Sequence, residues 1–181
     1  KTQSALLEAM NDRQVSVDKL TYALPEPFML LATQNPLEFS GTFPLPESQL
    51  DRFTMCIRIG YPDEADERRI IQSAPSAVVI KDLSPALNAG DVLKMQSLAG
   101  TVRVDGDLVS YMLSIASKTR SHKGIRLGVS PRGTMTLYKT AQAFALVNNR
   151  DYVTPDDIKT LAVPVFAHRV IALLKQRSPV A

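Results

Sequence analysis

Hydrophobic and polar residues follow two different periods in the first part of the chain. Apolar side chains recur at three- and four-residue spacing over residues 1–11, among good helix formers, and this predicts a short amphipathic helix. From residue 14 to 24 apolar and polar residues alternate on both sides of Asp18-Lys19, which predicts a β-hairpin closed by Pro25. The turn contains no glycine, so the sequence leaves its type open.

Two strands of a buried sheet are predicted next. Residues 28–32 (FMLLA) form a continuous apolar run, which is typical of a strand covered on both faces in a parallel sheet. A loop rich in glycine and proline follows. Apolar and polar residues then alternate over residues 53–59, and this pattern indicates a second strand.

Beyond residue 62 the pattern is helical throughout. It predicts helices at residues 63–73, 91–98, 106–120, 131–148 and 155–161. The change of pattern indicates two domains, an α/β part over residues 1–62 and an all-α part over residues 63–181. Proline and glycine residues punctuate the passage between them, so the boundary is expected between residues 62 and 76.

Composition narrows the class of protein. A chain of 181 residues with 45% hydrophobic residues can bury a real core. One cysteine permits no internal disulfide, and no apolar run is long enough to cross a bilayer, so a cytoplasmic setting is expected. The net charge of +3 is scattered along the chain and does not by itself indicate nucleic acid. Because the chain starts inside a helical pattern and without methionine, we interpret it as a fragment.

Asn35 and Arg52 are candidate site residues beside the predicted sheet. Asn35 stands where a buried parallel strand ends, which is where α/β proteins bind ligands, and its amide is suited to orienting a water molecule. The alternative is that Asn35-Pro36 is merely a turn. Arg52 precedes a predicted strand, where a guanidinium can reach a phosphate on a neighbouring subunit. The alternative for Arg52 is a solvated side chain that pairs with Asp51 or Glu47.

Arg132 is a third candidate. Ser130 is a good N-cap and Pro131 a good first helical residue, so Arg132 is predicted in the first turn of a helix. A cation there opposes the helix dipole, and a bound anion reverses that penalty. The alternative is an arginine that points into water.

Other polar residues favour structural roles. The two histidines, His122 and His168, are too far apart in sequence for a typical metal pair, so no metal site is predicted. Cys56 fits a buried structural thiol. Asp156 and Asp157 fit charges at the start of a helix.

Five segments, in order, resemble the MoxR family of AAA+ ATPases: residues 3–10 (QSALLEAM), 31–36 (LATQNP), 45–53 (LPESQLDRF), 128–132 (GVSPR) and 151–158 (DYVTPDDI). The resemblance implies an α/β fold, the remnant of a parallel AAA+ (P-loop NTPase) sheet, followed by an all-α lid domain. It also implies that Asn35 is sensor 1, Arg52 the arginine finger and Arg132 sensor 2. The hairpin corresponds to the pre-sensor 1 insertion.

The sequence contains no G-x-x-x-x-G-K-[ST] motif, and no apolar run ending in Asp-Glu precedes the first predicted helix. The resemblance therefore implies that ATP and Mg²⁺ bind through residues upstream, and that this chain alone is inactive. In the family's sheet order the missing P-loop strand lies between the two predicted strands. We therefore expect residues 1–60 to dimerise or to be non-native without a companion, and the lid to fold regardless.

The resemblance further implies an ATP-hydrolysing ring, expected to be a hexamer, that remodels, activates or loads metal into a partner protein. A partner with a von Willebrand factor A domain is expected on the same ground. The alternative is a nucleic-acid-binding AAA+ module of helicase type. For it the chain offers one local basic cluster, at Lys118, Arg120, His122, Lys123 and Arg126.

Overall fold

Helices and two small sheets make up the described part of the fold. The structure, a computed structural model, describes residues 8–34, 45–73 and 83–173. In chain order the elements are α1 (residues 8–12), β1 (Gln14–Val17), β2 (Leu20–Ala23), α2 (Glu47–Leu50), α3 (Glu64–Ser73), α4 (Ala89–Ala99), α5 (Gly106–Ser121), β3 (Ile125–Leu127), α6 (Pro131–Val147), α7 (Pro155–Phe166) and β4 (Ile171–Ala172).

The predicted hairpin is confirmed. Strands β1 and β2 pair antiparallel, with Gln14 opposite Ala23 and Val17 opposite Leu20. Asp18 and Lys19 have φ angles of 49° and 67°. Positive φ at both central residues is the requirement of a type I′ turn, so this turn forms without glycine.

The two predicted sheet strands are wrong for this chain. Residues 28–32 and 53–59 carry no strand, and the sheets found in the described residues are two antiparallel pairs. Leu31 is 85% exposed and Ile57 is 73% exposed. A strand is stable only when its backbone groups find a ladder partner, and neither segment has one among the described residues. This outcome agrees with the expectation that a strand between them is needed.

The helices of the second part are confirmed, with ends set by their capping residues. Helix α4 begins earlier than predicted because Asn88 and Asp91 form a capping box. Thr154 and Asp157 form a second capping box at the start of α7. Helix α7 runs beyond the predicted end, through Pro164 to Phe166, because its last turns continue the buried face of the helix.

The core lies where α5, α6 and α7 pack together. Its buried apolar side chains are Val102, Met112, Ala116, Val129, Leu137, Ala141, Ala145, Val153, Ile158, Leu161, Val165 and Phe166. The one buried amide in it is satisfied, since Gln142 Nε2 donates to the Val102 carbonyl at 2.7 Å. The lid residues therefore have a core of their own, which fits the expectation that this part folds by itself.

Three short elements were missed by the sequence patterns. The single turn α2 lies in the loop expected between the two predicted strands. The antiparallel pair β3 and β4 lies where only loops and helices were expected, with Ile125 opposite Ala172 and Leu127 opposite Ile171. Strands of three and two residues are too short to show a period. Arg169 lies in the short connection between α7 and β4.

Candidate functional site

Arg132 lies at the start of α6, as its flanking residues predicted. Ser130 is the N-cap, with its hydroxyl accepting from the Gly133 amide at 3.1 Å, and Pro131 is the first helical residue. Arg132 follows as an exposed side chain in the first turn, where no acidic residue accompanies it. An exposed arginine at the positive end of a helix dipole is suited to binding an anion.

Arg52 sits directly after the one-turn helix α2 and is partly buried. Its Nε and Nη1 atoms are buried without a hydrogen-bond acceptor. The alternative partners considered for it are engaged elsewhere, since Asp51 binds Arg169 and Glu47 binds Arg126 at 3.0 Å each. Buried cationic nitrogens without acceptors cost free energy.

Arg169 is the residue that organises this region, and the sequence analysis did not identify it. Its side chain is 1% exposed and lies after the end of α7. The guanidinium donates to the carbonyls of Asp51 (3.1 Å), Phe53 and Thr54 (3.2 Å), and to the carbonyl of Val165 in α7. Burial lowers the pKa of Arg169, while the Asp51 carboxylate opposes that shift.

The Asp51 carboxylate joins this arginine to the start of α6. Its Oδ1 accepts from Arg169 Nε at 3.0 Å, and Ser130 Oγ lies 2.8 and 2.9 Å from the two carboxylate oxygens. Ser130 therefore caps α6 and contacts Asp51 with the same hydroxyl. The segment that carries Arg52 and the helix that carries Arg132 are linked through one carboxylate.

Two further contacts hold the segment after Arg52 against the lid. His168 Nε2 lies 3.1 Å from the Phe53 carbonyl, and the Cys56 amide donates to the Pro164 carbonyl at 2.8 Å. Burial lowers the pKa of His168, because the charged ring loses hydration there. The Cys56 side chain is exposed, so the prediction of a buried thiol is wrong. Only its backbone takes part in the packing.

Gly133 makes room for Arg169. A Cβ atom at Gly133 would lie 2.7 Å from Val129 Cγ1 and 2.9 Å from Arg169 Cδ. The sequence offered a weak signal, a glycine inside the first turn of a helix, where glycine is intrinsically unfavourable. Arg169 offered none, because an arginine near the end of a helix is normally a surface residue.

The remaining candidate residues have different outcomes. Asn35 lies outside the described residues, so its role stays a prediction. Among the described residues no group of histidine, cysteine and carboxylate side chains is suited to a metal. Asp157 is confirmed as a charge at the start of α7, where it also pairs with Arg150 at 2.6 Å.

The basic cluster considered for nucleic acid is partly engaged within the chain. Arg120 Nε donates to the Val129 carbonyl at 2.8 Å, and Arg126 pairs with Glu47. Nucleic-acid binding needs cations that are free to meet phosphates along one face. The contacts of these two arginines therefore weigh against the helicase-type alternative. No helix in the described ranges has the length and apolar character needed to span a membrane.

Comparison with known families places both parts of the chain. A family model described as "ATPase family associated with various cellular activities (AAA)" matches residues 1–55. A second, described as "AAA lid domain", matches residues 117–180.

Individual relatives agree with these matches. The chain is 46% identical over 171 residues to the uncharacterized protein YeaC of Bacillus subtilis, covering 94% of this chain and 53% of YeaC. It is 38% identical over 192 residues to "Chaperone MoxR1" of Mycobacterium tuberculosis, covering 99% and 50%. A crystal structure of a candidate ATPase from Cytophaga hutchinsonii superposes with a TM-score of 0.84 at 36% identity, over 94% of this chain and 54% of that one. The chain thus spans about half the length of the relatives it matches.

Proposed function

Because the chain belongs to the MoxR family of AAA+ ATPases, we propose that it contributes an arginine finger and a nucleotide sensor to an oligomeric ring that hydrolyses ATP. Arg52 is the finger, which completes the site of the adjacent subunit. Arg132 is sensor 2, which reads the nucleotide of its own subunit, and Asn35 is sensor 1, which orients the attacking water. The ring is a hexamer.

The observation that carries this proposal is the lack of hydrogen-bond acceptors for the Nε and Nη1 atoms of Arg52. Its backbone neighbours are held by Arg169, yet its Nε and Nη1 atoms have no acceptor. A positioned cation without an internal counterion is what a trans-acting arginine requires, since it must meet negative charge that develops on another molecule. A purely structural arginine would instead be expected to pair with Asp51 or Glu47 next to it.

Arg132 supports the second half of the proposal. It is exposed at the start of α6, and the amides of a first helical turn favour a phosphate beside it. Bound ATP with Mg²⁺ supplies the phosphoryl group that water attacks. In this role Arg132 holds the terminal phosphate, so that α6 and the lid follow the state of the nucleotide.

The described residues do not suffice to bind ATP. They contain no cluster of three or more histidine, cysteine and carboxylate side chains suited to a metal ion, and the whole sequence has no glycine-rich phosphate loop. We therefore expect this chain alone to be inactive and to act only within an assembly. ATP and Mg²⁺ are held by residues outside it.

The work of the ring is directed at another protein. One relative is named a chaperone and others are named MoxR, and on that similarity we propose remodelling, activation or metal loading of a partner protein in the cytoplasm. A partner containing a von Willebrand factor A domain belongs to the same proposal.

Complementation in a mixed ring tests the finger. A YeaC variant with alanine at the position equivalent to Arg52 would be mixed with this chain, and ATP hydrolysis measured. We expect the intact chain to raise the rate at least about tenfold, because removal of a trans-acting arginine costs far more than that. Arg52→Ala should abolish the gain, whereas Arg58→Ala, a change at an exposed arginine six residues further on, should preserve it.

Co-assembly must be shown by analytical ultracentrifugation in the same samples. If the two proteins assemble and the rate stays at the level of the mutant YeaC, Arg52 is not a finger. If Arg58→Ala removes the gain as fully as Arg52→Ala, the gain depends on the positive charge of this segment in general and not on a finger at Arg52.

A further inference from the structure

The Asp51 carboxylate connects two lid elements that are distant in sequence. It contacts Ser130 Oγ at 2.8 and 2.9 Å and Arg169 Nε at 3.0 Å. Its side chain is 23% exposed and that of Arg169 is 1% exposed, so the ion pair is largely shielded from water. A shielded, charge-assisted contact of this kind holds its geometry better than a surface ion pair does.

Arg169 also forms hydrogen bonds with the backbone on both sides of Arg52. Its Nη2 donates to the carbonyls of Asp51 and Phe53, and its Nη1 donates to the carbonyl of Thr54. Because the residues before and after Arg52 are both held, the Cα atom of Arg52 has little freedom relative to α7. The Arg52 Nε and Nη1 atoms take part in none of these contacts.

The same cluster reaches the start of α6. Ser130 caps α6 and binds Asp51 with one hydroxyl, and Gly133 in the first turn leaves the space that Arg169 occupies. Any rotation of the start of α6 therefore acts on Asp51 directly. Asp51, next to Arg52, and Ser130, two residues before Arg132, thereby join the two arginines by a short path.

We propose that Asp51 and Arg169 are positioning residues that lock the Arg52 segment to the start of α6, so that Arg52 and Arg132 move as one body. This rests on the proposed roles of Arg52 and Arg132. Its consequence is that a change of nucleotide sensed at Arg132 in one subunit displaces the finger that serves the next subunit. The lock thereby couples successive sites around the ring.

A first experiment measures the lock without ATP hydrolysis. Cys56 is the chain's one cysteine, its side chain is exposed, and its amide is bonded to Pro164 within the held segment. A nitroxide spin label on Cys56 reports by EPR how firmly that segment is held. We expect a restricted spectrum for the native chain and a mobile one for Asp51→Asn and for Arg169→Lys.

The matched control for stability is Asp157→Asn. It removes a charge from the same lid at the start of α7, where Asp157 pairs with Arg150 and not with the lock. We expect its label spectrum to match that of the native chain. Ser130→Thr keeps the capping hydroxyl and should also match, whereas Ser130→Ala should mobilise the label.

A second experiment asks whether the lock sets the rate. In the mixed ring with finger-deficient YeaC, we expect Asp51→Asn to lower the restored kcat by about 10- to 100-fold, because a displacement on the order of 1 Å costs that much. KM for ATP should change less than about twofold, since other residues hold the nucleotide. Asp157→Asn should leave both values unchanged at a temperature where circular dichroism shows the lid folded.

The outcomes separate the two proposals. If Asp51→Asn restores kcat fully while Arg52→Ala does not, the lock is overturned and the finger stands. If the label on Cys56 is equally restricted in the native and Asp51→Asn chains, the lock is likewise overturned. If activity does not depend on Arg52, both proposals fail.

Discussion

Replacing Gly133 by alanine should destabilise the lid although alanine is the better helix former. An ideal Cβ there would lie 2.7 Å from Val129 Cγ1 and 2.9 Å from Arg169 Cδ, and separations below 3.0 Å essentially do not occur for real Cβ atoms. Either Val129 and Arg169 must both leave their places or the start of α6 must shift. Both responses disturb contacts that are buried.

The net magnitude follows from two opposed effects. Overpacking of a well-packed region costs about 1–3 kcal/mol. Alanine in place of glycine in a helix returns about 1 kcal/mol at most, and less in a first turn. We therefore expect Gly133→Ala to lower the free energy of unfolding by about 1 kcal/mol, and by as much as about 2 kcal/mol if Arg169 cannot adjust.

Urea unfolding followed by far-UV circular dichroism measures this loss. The chain has no tryptophan, so helix signal is the suitable probe. The midpoint concentration should fall while the slope stays the same, which marks a change in stability alone. Gly106→Ala is the control, since nothing lies within 4 Å of a Cβ there, and it should be neutral or stabilising by about 1 kcal/mol or less.

An unchanged or higher midpoint for Gly133→Ala would refute the reasoning. It would mean that the start of α6 yields easily and that the place of Arg169 is not set by Gly133. Some other adjustment would then keep the contacts between Arg169 and Asp51. In that case the spectrum of the spin label on Cys56 should stay restricted.

The remaining predictions concern the core and two titrating groups. Leu137→Ala, at a fully buried position, should cost about 2–5 kcal/mol of unfolding free energy, whereas Leu113→Ala, at a side chain 52% exposed, should cost much less in the same urea assay. Hydrogen bonds from Arg150 lower the pKa of Asp157, so its stabilisation is present above the carboxyl's ordinary pKa and is lost as pH falls through the lower folded value; thermal unfolding should show less acid sensitivity in Asp157→Asn. Burial lowers the pKa of His168, so stability should fall as pH drops from the ordinary histidine pKa toward the folded one, and an NMR titration of the ring that gives a midpoint at or above about 6.5 would contradict this.

The sequence by itself determined those parts of the protein that depend on neighbouring residues. The hairpin around Asp18-Lys19, the caps at Ser130 and Thr154 and the long lid helices follow from short-range spacing, because turns, caps and amphipathic faces are built from residues a few positions apart. The five ordered segments also identified the family. These features needed no knowledge of the tertiary contacts.

Only the tertiary structure decided which residues hold Arg52. Arg169 and Asp51 are 118 residues apart, and no local pattern pairs an arginine after a helix with a carboxylate so distant. The alternation of apolar and polar residues over 53–59 likewise could not show that this segment lacks a pairing strand. Pairing depends on a second strand elsewhere in the fold and not on the segment itself. Local sequence sets what a segment is able to form, and long-range packing sets whether it forms and what it touches.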